Sequence, residues 1–197
     1  MLRAAGLAPI AGADEAGRGA CAGPLVAAAV ILDPDRPIDG LDDSKALTEK
    51  ARERLYPVIL ERAAASACVS IPAPDVDRMG VQRANLFALQ TAVESLDLSP
   101  TFVITDGFAV EGLGMASVGM WKADQVASCV SAASIIAKVT RDRYMTELDQ
   151  IYPDYEFSVH KGYATALHQR HLDELGPCAE HRLSYANVAR TTRVVSS

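Results

Sequence analysis

The sequence predicts a three-layer α/β domain built around a mixed sheet. Three observations carry that prediction: two early apolar runs of strand length, a later compact strand ending in Asp106-Gly107, and helical patterns through most of the remaining chain. A length of 197 residues suits one sizeable domain, and the C-terminal stretch over about 152–190 is expected to pack on it as a small helical flap.

In chain order, the run Leu7 to Ala13 reads as a strand that stops at Asp14-Glu15. Leu25 to Leu32, bounded by Gly23-Pro24 and Asp33-Pro34, reads as a buried strand joined to the first by a glycine-rich turn. The polar stretch Leu41 to Lys50 leads into a helix with Thr48 as N-cap and Arg52, Leu55, Val58, Ile59 and Arg62 at helical spacing. Ala67 to Ile71 reads as a third strand. Val81 to Leu96 carries Leu86, Leu89, Val93 and Leu96 on one face of an amphipathic helix. Thr101 to Thr105 is a compact strand, and Ser128 to Leu148 a long helix, small-residue-rich first and charged later. Tyr152 to His160 is expected to be a loop, and Lys161 to Leu175 a helix stopped by Gly176-Pro177.

A chain that is 49% hydrophobic and 22% charged is ordinary for a globular protein. Its apolar runs are too short to span a bilayer, and the N-terminus lacks the long apolar stretch of a signal peptide, so no membrane association is expected. Cys21, Cys68, Cys129 and Cys178 are scattered without a CxxC pair, which argues against a zinc site or disulfide scaffold and for a reduced, cytoplasmic chain. A net charge of −6 counts against a nucleic-acid ligand. The C-terminal stretch softens that: His160, His168, His171 and His181 fall there with Lys161, Arg170, Arg182, Arg190 and Arg193, so a local basic face can coexist with an acidic chain, and composition neither excludes nor suggests a phosphate-backbone ligand.

Asp14 and Glu15 end one strand and are followed by Gly17-Arg18-Gly19. Side-by-side acids repel, so the pair is either a solvated turn or an oxygen-ligand site for a hard divalent cation. In a strand neighbours point to opposite faces, so both reach one site only at a strand end where the chain turns. Asp106 repeats the pattern at the end of Phe102-Val103-Ile104, and strand ends are where open α/β sheets bind ligands. Asp124 precedes the long helix, either as an ordinary helix-start acid or pointing into the same crevice. No Ser-His-Asp set is apparent. Taken together, the four acids match the ligands expected of two divalent ions in phosphodiester hydrolysis. The run Gly17 to Gly23 is not a dinucleotide fingerprint, because its last spacing is off by one and a strand follows where a helix is required.

Asp14-Glu-Ala-Gly-Arg-Gly19 with Ala22-Gly-Pro24, Asp43-Ser-Lys45, Thr105-Asp-Gly107, Lys122-Ala-Asp124, the stretch Ala132 to Asp142 and His160-Lys-Gly-Tyr163 resemble, in order, the motifs of bacterial ribonuclease HII. The likeness runs from about Ala11 to about Tyr185. It implies an RNase H-like fold and an endonuclease that cuts RNA paired to DNA, including 5′ of a lone ribonucleotide in duplex DNA, leaving 5′-phosphate and 3′-OH ends. By that resemblance Asp14, Glu15, Asp106 and Asp124 hold two Mn2+ or Mg2+ ions. Gly17, Arg18 and Gly19 read the ribose 2′-OH, the group that separates RNA from DNA, and Tyr163 packs on the neighbouring deoxyribose. Lys45, Lys138, Lys161 and Arg141 become candidates for phosphate contacts, with solvated helix residues as the alternative for Lys138 and Arg141. A core position is the alternative for Tyr163. Thr105, Glu156 and Ala164 stand where the family commonly has glycine, which bears on loop shape rather than on the reaction. The expected partners are RNA/DNA hybrid and ribonucleotide-containing duplex, bound by a monomer. A non-catalytic binding module of the same fold is the rival, and loss of any of the four acids would have marked it.

Overall fold

The computed structural model describes residues 6–41 and 47–194. Five strands form one mixed sheet in the order β3-β2-β1-β4-β5. β1 (Ile10–Ala16) pairs antiparallel with β2 (Leu25–Leu32), which pairs antiparallel with β3 (Ala63–Ile71). On the other side β1 pairs parallel with β4 (Phe102–Asp106), and β4 with β5 (Ala116–Met120). The parallel pairing sets the C-terminal ends of β1 and β4 side by side, and so brings together acids 92 positions apart in sequence, Asp14 and Asp106.

Period-two alternation divides the sheet residues between two cores. Ala11, Ala13, Leu25, Ala27, Ala29 and Val103 pack against Ala84, Ala88, Leu89, Ala92 and Val93 of α3 (Val81–Glu94). Val26, Ala28 and Val30 point the other way, onto Ala132, Ala133, Ile135 and Ile136 of α4 (Ser128–Ile151) and Leu55 and Ile59 of α1 (Glu49–Arg62). Small side chains let α4 sit close: a Cβ on Gly12 would lie 2.3 Å from the Cys129 carbonyl carbon and the Val130 nitrogen.

Thr48 caps α1 as expected, its hydroxyl accepting the Ala51 N–H at 3.2 Å. Several boundaries differ from the sequence reading. β3 begins at Ala63 rather than Ala67, because pairing with β2 recruits an alanine run of weak intrinsic strand preference. A short α2 (Ala73–Met79) follows Pro72, and the edge strand β5, interrupted by Gly119, was not anticipated. The expected loop Tyr152 to His160 is instead a 3-10 turn (Pro153–Tyr155) and α5 (Phe157–His160). The next helix, α6 (Ala166–Leu175), starts at Ala166 rather than Lys161. Lys161 and Gly162 take left-handed backbone angles that no helix continues through, and the Thr165 hydroxyl then caps His168 N–H at 3.2 Å. A last helix, α7 (Ala186–Val194), closes the described chain. Among the described residues no helix is long and apolar enough to cross a membrane.

Candidate active site

Asp14, Asp106 and Asp124 converge at the joined ends of β1 and β4. One carboxylate oxygen from each lies within 4.8 Å of the others. Asp14 is 4% exposed and Asp124 2%. The Asp106 Oδ1 accepts the Ala123 N–H at 2.8 Å, which ties the turn carrying Asp124 to the end of β4. Burial, and then the charge of Glu15, hold the Asp14 carboxyl well above the usual carboxylate range. The Ser134 hydroxyl on α4 opposes that shift by bonding Asp14, and Asp106 adds to it. A nearby cation would offset that shift and favour the charged carboxylate.

Glu15 stands outside this trio. β1 continues to Ala16, so alternation turns Glu15 from the face that carries Asp14. Both nonetheless line one cavity of about 280 Å³, together with Gly17, Arg18, Gly19, Arg52, Asp106, Ser134, Lys138 and Tyr163. Lys138 forms an ion pair with Asp142 at 2.7 Å on the rim. Lys45 lies outside the described residues.

The loop from Gly17 to Pro24 is shaped from beneath by two buried arginines. Arg141 donates to the carbonyls of Pro24, Ala22 and Lys161 at 3.0, 3.0 and 2.9 Å. Arg182 donates to Gly23 at 3.1 and 2.9 Å and to Gly17 at 2.8 Å. The Arg18 carbonyl accepts the Tyr185 hydroxyl at 2.6 Å. Gly17 has φ +85°, and a Cβ there would fall 1.9 Å from Arg141 Nε, so backbone and packing both require glycine. Gly19, by contrast, has open space where a side chain would sit. Arg141 is therefore neither a phosphate contact nor a solvated helix residue. It is fully buried and bound to backbone carbonyls. Lys161 is likewise engaged along α4, its Nζ donating to the Thr146 hydroxyl at 2.8 Å.

Tyr163 stands at the cavity wall in a turn, with Arg141 and Lys138 at 5.3 and 5.6 Å from its ring centre. A chain of hydrogen bonds fixes its backbone. The Cys178 N–H donates to His181 Nδ1 at 3.0 Å, which leaves the proton on His181 Nε2 to be donated to His168 Nε2 at 2.9 Å. His168 Nδ1–H then donates to the Tyr163 carbonyl at 3.0 Å. His160 stacks on His168 at 4.0 Å between ring centres. Burial pushes His168 down to about 3 and His181 to about 4, so both rings are neutral near pH 7, and it lowers His160 as well. Of the basic residues in the C-terminal stretch, His160, His168, His181 and Arg182 are inside and add nothing to a basic face, while Arg170 and Arg190 are exposed.

The cavity gathers Asp14, Glu15, Gly17, Arg18, Gly19, Asp106, Lys138 and Tyr163, with Asp124 completing the carboxylate trio. Arg52, Arg182 and Tyr185 were missed. The only hint for Arg52 was a charge at helical spacing with buried Leu55 and Ile59. Arg182 gave no such signal, since nothing local marks a cation that binds carbonyls about 160 residues away.

A family model described as Ribonuclease HII matches residues 11–188. The chain is similar to a ribonuclease HII from Cutibacterium acnes, 57% identical over all of this chain and 97% of the relative. It is 55% identical to one from Rhodococcus erythropolis, over 95% of this chain and 84% of that one. Among solved structures, the ribonuclease H2 from Pyrococcus horikoshii superposes with a TM-score of 0.81 at 27% identity, covering 95% of this chain and 99% of the other.

Proposed function

The chain belongs to the ribonuclease HII family, and is a ribonuclease H endonuclease acting on the RNA strand of RNA/DNA hybrids; on that premise we propose that it works through divalent metal ions and also cuts 5′ of a single ribonucleotide embedded in duplex DNA. The carrying observation is the carboxylate trio, two of whose members, Asp14 and Asp106, line a cavity walled by Gly17-Arg18-Gly19 and Tyr163. The residues fit hard cations. They offer only oxygen, and the Asp14 carboxyl is driven toward neutrality by burial and by Glu15 unless positive charge is supplied. Bound Mg2+ or Mn2+ would supply the charge that activates water and stabilises the leaving 3′-oxygen, giving 5′-phosphate and 3′-OH ends.

The chain's own groups do the positioning. Asp14, Asp106 and Asp124 hold the ions, and Glu15 completes the set from the cavity wall. The Gly17-Arg18-Gly19 backbone reads the 2′-OH, with Gly19 open to close approach. Its carbonyls at Gly17 and Arg18 are engaged from behind by Arg182 and Tyr185, so the loop meets the ribose already shaped. The two buried guanidiniums add positive potential behind a loop that faces phosphate. Arg18, Lys138 and Lys45 meet the backbone charge, and Tyr163 packs on the deoxyribose after the ribonucleotide, where a 2′-OH would be crowded. The segment 152–190 is read as a flap on a single catalytic domain. The chain is read as a monomer, and scattered free cysteines suit the cytoplasm.

Three labelled duplexes test this: all DNA, DNA with one ribonucleotide, and DNA with a run of ribonucleotides. The expected cut lies 5′ of the ribonucleotide that precedes DNA, with discrimination against all-DNA duplex on the order of 10⁴. Tyr163→Ala should impair the single-ribonucleotide substrate while leaving metal binding unchanged. Comparable cutting of all three duplexes would refute junction recognition.

A further inference from the structure

The turn between β5 and the 3-10 turn Ala123–Gln125 presents Trp121, the only tryptophan of the chain, at 81% exposure. So large an apolar side chain is costly to leave in water. Its backbone is nonetheless firmly held beside the acid trio. On one side of Trp121 and Lys122 the Met120 carbonyl accepts the Gly107 N–H at 2.9 Å; on the other the Ala123 N–H donates to Asp106 Oδ1 at 2.8 Å. Lys122 has φ 59°, a left-handed conformation unusual for a side-chain-bearing residue. That reversal lets the chain turn inward at buried Ala123 and Asp124 while Trp121 and Lys122 both remain exposed. Nothing among the described residues covers this strained, anchored, outward aromatic-basic pair, which lies within three residues of a carboxylate of the site.

We propose that Trp121 and Lys122 are a contact for the substrate duplex beside the cleavage site, the indole packing on sugar faces and the ammonium meeting an adjacent phosphate. Bases in a duplex are paired and stacked, so a ring at the protein surface meets sugars and groove edges. The wide, shallow minor groove of an A-form helix presents such sugars. The Trp121-Lys122 pair combines the aromatic and cationic contacts that protein surfaces use on nucleic-acid strands. The inference rests on the carboxylate trio being the cleavage site.

The single tryptophan makes the test direct. Asp106→Asn protein is titrated in Mg2+ with a short fluorescein-labelled RNA/DNA hybrid, recording indole emission and label anisotropy together. Emission should change in step with anisotropy. In the same background Trp121→Ala should bind about fivefold or more weakly, and Trp121→Phe should retain most affinity. In the otherwise unaltered enzyme Trp121→Ala should raise KM with kcat within about twofold, and Lys122→Gln should lower the salt dependence of binding by about one counterion. Indole emission that stays constant while anisotropy saturates, or Trp121→Ala binding as tightly as the parent, overturns the proposal and leaves the nuclease reading standing. A wild-type chain that neither binds nor cuts the hybrid refutes that reading, and this inference with it.

Discussion

Burial and the adjacent Glu15 push the Asp14 carboxyl toward its neutral form, so in the metal-free protein its charge at neutral pH costs stability. The sign follows from the raised folded-state value. The folded chain takes up this proton more readily than the unfolded chain does, so the cost is full above that value and falls as pH drops through it toward the ordinary carboxylate range. Asp14→Asn removes the charge and keeps an oxygen for Ser134. It should raise the metal-free Tm by a few degrees, since about 1 kcal/mol moves a domain of this size by roughly 2–4 °C. Mg2+ or Mn2+ should stabilise the wild type and much less the variant. Scanning fluorimetry of both proteins, with and without metal, reads this; a metal-free variant melting below the wild type contradicts it. Arg141 gives the contrasting lesson. Its place in the long helix was legible, but its role depends on Gly17, 124 positions earlier, whose missing side chain makes room for the guanidinium.

Elements with strong periodicity were legible: the strand at Leu25, the helices at Val81 and Ser128, and the Thr48 cap all stand where the pattern put them. β5 was not, because a five-residue edge strand containing glycine gains its structure from pairing with β4 rather than from its own preference. The C-terminal elements were misread for a related reason. Histidine is polar by composition, and nothing local shows that His160, His168 and His181 satisfy one another, Cys178 and the backbone inside the fold. Their neutrality has a measurable consequence. His168 at about 3 and His181 at about 4 stay uncharged where an unfolded histidine protonates near 6.5. Between about pH 6.5 and 4 the unfolded state therefore binds the extra protons, and stability contributed by these rings is lost as pH falls. Because Asp14 works in the opposite direction, the experiment belongs in the Asp14→Asn background. Urea midpoints should decline from pH 7 to 4.5, more shallowly in His168→Gln. Equal slopes in the two proteins would contradict the neutral chain.

Across the whole molecule, a mixed sheet with helices on both faces sets two strand ends side by side and brings a helix-leading turn over them, so three acids dispersed in sequence meet at one point. The acidic net charge and the nucleic-acid substrate are compatible on this view, because part of the negative charge is concentrated where cations are required. Asp106 offers the sharpest test of that arrangement. In Asp106→Asn the side-chain amide oxygen can still accept the Ala123 N–H, so the variant should keep the fold while losing one ligand charge. The decisive measurement is the initial rate of RNA-strand cleavage in an RNA/DNA hybrid, for wild type and Asp106→Asn, across Mg2+ and Mn2+ titrations with an EDTA control. Wild type should cut only when metal is present, and the variant should be slower by on the order of a thousandfold at every metal concentration. Cleavage by the wild type in EDTA, or a variant rate near that of the wild type, would contradict a metal centre built from these carboxylates.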